Sequence, residues 1–285
     1  MPLHVVVPVD GSPLSKHAAA WGIALCRRTG AVMSVCSVFD PMLSCVAGAE
    51  GALIDPRPML EALAADAGRF CAAAISQAAA ESVSVTSEIL EGAPAASIDD
   101  FACARGADLV VLGTHARSGL ALGVLGSVTA EVVRSSRLPV VTVRAETVLS
   151  ETGPIVVAVD DSEASAAAAR VALTIAAELG APIQLIFVDA HGDPPPAALG
   201  DLAREAAAAG VVCSTQIRHG AIVESLMAAA AESGASMLAA GTHGRGGLER
   251  LWLGSVAEGL IRRSLIPVLV VRCAPAAVPK AKLPS

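Results

Sequence analysis

The sequence predicts an α/β protein built as two tandem open, doubly wound parallel sheets, Rossmann-like and five-stranded each. Three observations predict it. The chain repeats itself, runs of β-branched residues alternate with alanine-rich segments of helical length, and several of those runs are apolar without interruption. The repeat is plainest in Gly241-Thr-His-Gly244, followed after nine residues by Gly254-Ser255, which returns as Gly113-Thr-His-Ala116, nine residues short of Gly126-Ser127. His4-Val-Val-Val-Pro-Val-Asp10-Gly-Ser12 likewise answers Ile155-Val-Val-Ala-Val-Asp160-Asp-Ser162, and Arg137-Leu-Pro-Val-Val-Thr-Val-Arg144 answers Leu265-Ile-Pro-Val-Leu-Val-Val-Arg272.

In order, the first copy places strands near 3–9, 32–38, 84–90, 108–112 and 139–143; the second places them near 154–159, 182–188, 212–218, 236–240 and 267–271. The first strand of each copy is a valine run that stops at Asp10 or Asp160, where a turn leads into a helical segment. Ser12 and Ser162 stand just before those segments and are expected as N-caps. Leu109-Val-Val-Leu112 and Met237-Leu-Ala-Ala240 are short fourth strands that end on glycine. Val140-Val141 and Val268-Leu-Val-Val271 close each copy. Continuous apolar runs of this kind suit a parallel sheet covered on both faces.

The copies differ in length. Their aspartates stand 150 positions apart (160 − 10) and their glycine turns 128 (241 − 113), so the first carries 22 extra residues, expected mostly in Phe39 to Pro58. A structureless loop of that length is unusual and reads as a lid, arm or interface. Residues 1–147 and 152–275 are taken as the two domains, with the joint at Ala145 to Gly153 and a loose, proline-rich tail at 276–285.

Composition narrows the setting. At 285 residues the chain suffices for two ordinary domains. A formal charge of −7 and a sequence pI near 5.4 argue against non-specific nucleic-acid binding, and 2% aromatics with no Tyr leave no base-stacking platform. No apolar stretch is long or pure enough for a bilayer, and the first residues enter a strand without a charged leader, so no membrane is expected and the cytoplasm is the expected location. Seven cysteines with no Cys-x-x-Cys pair read as buried free thiols rather than a zinc site or a disulfide frame; Cys45, in the long segment, is the one expected to be open to oxidation.

Ligands of open α/β sheets bind beyond the carboxyl ends of the strands, where strand order reverses. Neighbouring first and fourth strands would set Asp10 against the Gly113 turn and Asp160 against the Gly241 turn across one cleft each. Glycines permit close backbone approach and helix N-termini attract phosphate, while a carboxylate opposite suits ribose or adenine groups. The bland alternatives stay open. Either aspartate can simply accept N–H groups of its own turn, and Ser127 and Ser255 can begin helices as well as touch phosphate. His115 and His243 have no recurring partner for catalysis and are expected to support the loop. Arg117 and Arg245 can reach phosphate or stay solvated; Leu251 and Trp252 read as packing, Glu249 and Arg250 as surface. No Gly-x-x-x-x-Gly-Lys-Ser/Thr, Gly-x-Gly-x-x-Gly or Ser-Gly-Gly-x-Asp-Ser loop is present, which disfavours P-loop NTPases, dinucleotide oxidoreductases and ATP pyrophosphatases.

These residues resemble the universal stress protein family over nearly the whole chain. Its nucleotide-binding members carry Gly-x-x-Gly, nine residues, then Gly-Ser or Gly-Thr. The second copy matches in full and the first departs at Ala116. The resemblance implies that ATP, with or without Mg²⁺, is bound by Asp160, Val188, Ala240, Gly241, Gly244, Gly254, Ser255 and Val256 in the second copy, where Arg245 is added as a candidate phosphate contact for its forked donors. In the first it implies Asp10, Val38, Leu112, Gly113, Gly126, Ser127 and Val128. It further implies that nucleotide occupancy serves a stress response, with a weak Mg²⁺-dependent hydrolase or phosphotransferase and a scaffold with vestigial pockets as the alternatives. The last strands, apolar on both faces, are expected to pair the two copies into an intramolecular pseudo-dimer, with a homodimer through other faces left open.

Overall fold

The computed structural model describes residues 2–41, 55, 57–114, 125–147, 152–190, 192–242 and 253–272. The first copy runs β1 (His4–Pro8), α1 (Pro13–Thr29), β2 (Val32–Phe39), α2 (Arg57–Ala80), β3 (Val85–Glu91), α3 (Pro94–Ala104), β4 (Leu109–Gly113), α4 (Ser127–Ser135) and β5 (Val140–Val143). The second repeats it as β6 (Ile155–Ala158), α5 (Glu163–Leu179), β7 (Ile183–Asp189), α6 (Ala197–Ala208), β8 (Cys213–His219), α7 (Ile222–Ser233), β9 (Met237–Gly241), α8 (Ser255–Arg263) and β10 (Val268–Val271). Every strand lies where the apolar runs place it, within one residue at each end.

The strands form one ten-stranded sheet in the order β3-β2-β1-β4-β5-β10-β9-β6-β7-β8. Each half is parallel throughout, and the halves meet where β5 and β10 pair antiparallel. The expected pairing of the copies is therefore the centre of the sheet, and β3 and β8 are left as its edges.

Side chains alternate across the pleat into two apolar layers. Val5, Val7, Val157 and Leu269 face a layer filled from α1, α2, α5 and α6. Val6, Val110, Val156 and Val270 face one filled from α3, α4, α7 and α8. Both layers run through both copies. At about 1.5–3 kcal/mol for each large apolar side chain buried, this shared core is the main force holding the copies together. Helix α1 packs on α5 across the seam. The joint is fastened as well: Thr147 is buried, its Oγ1 accepts the Arg144 N–H at 2.8 Å, and its carbonyl lies 3.1 Å from His17 Nε2.

The extra residues of the first copy are divided differently from expectation. Helix α2 has 24 residues where α6 has 12, so twelve of the 22 lengthen a helix and only the remainder lengthens the connection before it. At about 1.5 Å per residue α2 is about 36 Å long, against about 26 Å for the eight-residue β2. Its buried residues, Ala67, Cys71, Ala74 and Ala78, all lie in the later part. About two turns at its start therefore project past the carboxyl ends of the strands. Most of the segment Phe39 to Pro58, Cys45 included, lies outside the described residues.

Candidate functional site

Strand order reverses between β1 and β4 and again between β6 and β9, and both pairs are hydrogen-bonded neighbours. Asp10 and Asp160 leave the first strand of each pair; Gly113 and Gly241 end the second. The structure thus brings aspartate and glycine turn to the same end of adjacent strands in each copy.

The aspartates shape their own turns. Asp10 Oδ1 accepts the Ser12 N–H at 3.0 Å. Asp160 Oδ1 accepts the Ser162 N–H at 2.9 Å and its hydroxyl at 2.5 Å. Ser12 and Ser162 are the N-caps of α1 and α5, each accepting the N–H three residues on at 3.1 Å. The turn-forming role of aspartate is thereby real, and it uses one carboxylate oxygen. Asp160 Oδ2 has no hydrogen-bond partner among the described residues.

Gly113 and Gly241 owe their presence to packing. A Cβ on Gly113 would stand 2.6 Å from the Leu14 carbonyl oxygen; one on Gly241 would stand 2.6 Å from the Ala164 carbonyl carbon and 2.7 Å from the Ser165 nitrogen. The missing side chain lets the first turn of α1 or α5 lie directly on the strand end, a close approach open only to glycine. This reason depends on tertiary crossing and was not legible in the motif.

The later residues of the motif open helices. The N-caps of α4 and α8 are Gly126 and Gly254, neither with a side-chain cap, so Ser127 and Ser255 are first helical residues rather than caps. The N–H groups of the first turn thus have no side-chain acceptor from the cap, a disposition that attracts anions. The Gly254 N–H is already used, donating to the Thr242 carbonyl at 2.6 Å. In the first copy Thr129 Oγ1 donates to the Gly113 carbonyl at 2.8 Å and ties α4 to β4; Ala257 replaces it in the second.

The apolar candidates share one layer. Leu112, Val38 and Val128 belong to one cluster on the α3/α4/α7/α8 face, and Ala240, Val188 and Val256 belong to the same layer. Gly244 and Arg245, together with His115, Ala116, Arg117, His243 and 249–252, lie outside the described residues. Among the described residues there is no cluster of three His, Cys, Asp or Glu able to hold a metal, and no helix is long and apolar enough to cross a membrane. Burial pushes the Cys26 thiol up to about 12 and raises Cys36 and Cys71 as well.

The model of the universal stress protein family matches residues 1–144 and again 151–272. This chain belongs to the universal stress protein family. Among curated members, a universal stress protein of Mycobacterium tuberculosis is 29% identical over 296 residues, covering 94% of this chain and 96% of its own. The crystal structure of a universal stress protein from Archaeoglobus fulgidus superposes with a TM-score of 0.78 at 22% identity, over 94% of this chain and 98% of that one, which shows the shared fold. A solved universal stress protein in complex with cAMP also matches, 32% identical over 43% of this chain and 98% of its own, with a TM-score of 0.38.

Proposed function

We propose that this universal stress protein binds ATP at its strand-order reversals, and that occupancy rather than turnover is what a cytoplasmic stress response reads. The supporting observation is the first turn of α8, without a side-chain cap, following β9 at the β6/β9 reversal, with Val188, Ala240 and Val256 in one apolar layer and Asp160 just past the end of β6. In this reading the first-turn N–H groups of Ser255 and Val256 take phosphate, Asp160 takes ribose or base through Oδ2, and the apolar layer takes the face of adenine. Gly244 and Arg245 would complete the phosphate loop, and Mg²⁺ would enter with the phosphates. Asp10, Val38, Leu112, Gly113, Gly126, Ser127 and Val128 form the counterpart in the first copy. Such binding signals only if ligand favours one state of the protein over another.

Calorimetric titration of the purified chain with ATP, ADP, AMP and cAMP, alongside a phosphate-release assay, tests the proposal. Saturable ATP binding with negligible release is expected. Absence of binding would sink it, and rapid release abolished by Asp160→Ala would replace it with a hydrolase.

A further inference from the structure

The two turns that carry the aspartates differ in a matched way. In the first copy Gly11 has φ +74°, and a Cβ built on it would fall 2.2 Å from Cε1 and 2.5 Å from Cδ1 of Phe70. The ring of Phe70 therefore lies against the Gly11 backbone, and an L side chain there would meet both a disfavoured φ and an aromatic ring. Across the repeat Gly11 answers to Asp161 (offset 150) and Phe70 to Ala198 (offset 128). Asp161 is not among the residues with positive φ, and Ala198 occupies the same apolar layer as Phe70. The positions held by Gly11 and Phe70 in the first copy are thus held by Asp161 and Ala198 in the second.

Presentation of the aspartate changes with the swap. Asp10 is exposed and accepts the Ser12 N–H, whereas Asp160 is half-buried and accepts both the N–H and the hydroxyl of Ser162. We infer that Phe70 is a positioning residue of the first crevice: by filling the space beside Gly11 it fixes the turn that aims Asp10, and so sets how that crevice reads the base and ribose of a nucleotide. The inference rests on the nucleotide reading above. Phe70 acts through Asp10, from the part of α2 that answers to α6. The phosphate end of the crevice, on α4, is untouched by this contact. On this view the two crevices of one chain differ in base preference.

The test uses the full chain carrying Ser255→Asp, whose carboxylate sits at the α8 N-terminus and repels phosphate from the second crevice. Dissociation constants for ATP, GTP and AMP are measured by calorimetry in that background, then with Phe70→Ala or Phe70→Leu added. The background is expected to bind one ATP per chain. Phe70→Ala is expected to reduce the ATP-over-GTP preference by about 5–10-fold, the scale of a misplaced polar contact, while the ATP-to-AMP ratio holds. Phe70→Leu, which keeps most of the volume, is expected to retain the preference within about twofold. An unchanged preference in Phe70→Ala overturns the inference, as does parallel weakening of all three ligands, the mark of a merely structural role. If Phe70→Ala does not fold, Gly11→Asp with Phe70→Ala rebuilds the second copy's pair, and a preference equal to the parent background overturns the inference in the same way. A background that binds nothing while the unmodified chain binds one ATP overturns it and leaves the second crevice standing. An unmodified chain that binds none removes the nucleotide reading itself.

Discussion

Leu269 of β10 stands opposite Val141 of β5 in antiparallel register, both wholly buried, in the row that turns two five-stranded sheets into one. Val140, Val141 and Val143 would lie on an open edge if the copies were separated, and unpaired apolar edges pair with whatever fits them. Residues 1–147 and 152–275, produced separately and mixed, are expected to associate with each other, and each alone to self-associate. Sedimentation velocity checks this; stable, non-interacting monomers would contradict it.

A charge in that row has nowhere to go. Val141→Asp buries a carboxylate without a partner and is expected to destabilise the chain by more than about 3 kcal/mol, because an unpaired buried charge is among the costliest single changes. Urea unfolding followed by circular dichroism provides the measure.

Gly113→Ala and Gly241→Ala each push a methyl into backbone atoms of α1 or α5 that lie 2.6 Å away. A cost of about 1–3 kcal/mol is expected for each, the usual range for overpacking, even without nucleotide. Chemical denaturation of the ligand-free protein tests it. An effect on ligand binding alone would assign these glycines to the ligand instead of to the helix crossing.

Ser255→Asp separates binding from folding. An acidic residue in the first turn favours the helix electrostatically, so stability is expected to be unchanged or raised by about 0.3–1 kcal/mol. The same charge repels phosphate, and ATP affinity at the second crevice is expected to fall at least about tenfold on the same electrostatic grounds. Thermal melts and calorimetry on one preparation give both readings.

Cys26 and Cys36 predict an alkaline limit. Burial raises both thiols above the ordinary value of 9.0, Cys26 to about 12. The unfolded chain loses these protons first, so the stability they contribute is complete below about pH 9 and is lost as pH rises towards 12, following proton linkage. Denaturation midpoints at pH 8, 9 and 10 should fall in that order. At pH 8 a thiol reagent mapped by mass spectrometry should leave Cys26, Cys36 and Cys71 unmodified until the protein unfolds.

The strands were legible because each is a short apolar run bounded by polar or small residues, and pairing of the copies was legible because β5 and β10 are apolar on both faces. Length differences were not. The first copy's extra residues read as loop up to Pro58, yet the helix begins at Arg57 and simply runs longer than its counterpart, which no local pattern announces. Ser127 and Ser255 do open helices as read, with Gly126 and Gly254 in the cap positions before them. The contact of Phe70 with Gly11 spans 59 positions and two elements (70 − 11), and only the folded arrangement of α2 over the turn reveals it.

Joining both copies in one polypeptide also releases them from two-fold symmetry. In an assembly of two identical chains every substitution occurs twice, and a new side chain must suit both places at once. Here glycine beside phenylalanine can arise on one side while the matching positions on the other hold aspartate and alanine, so a single gene can keep one half as it was while the other drifts towards a different task.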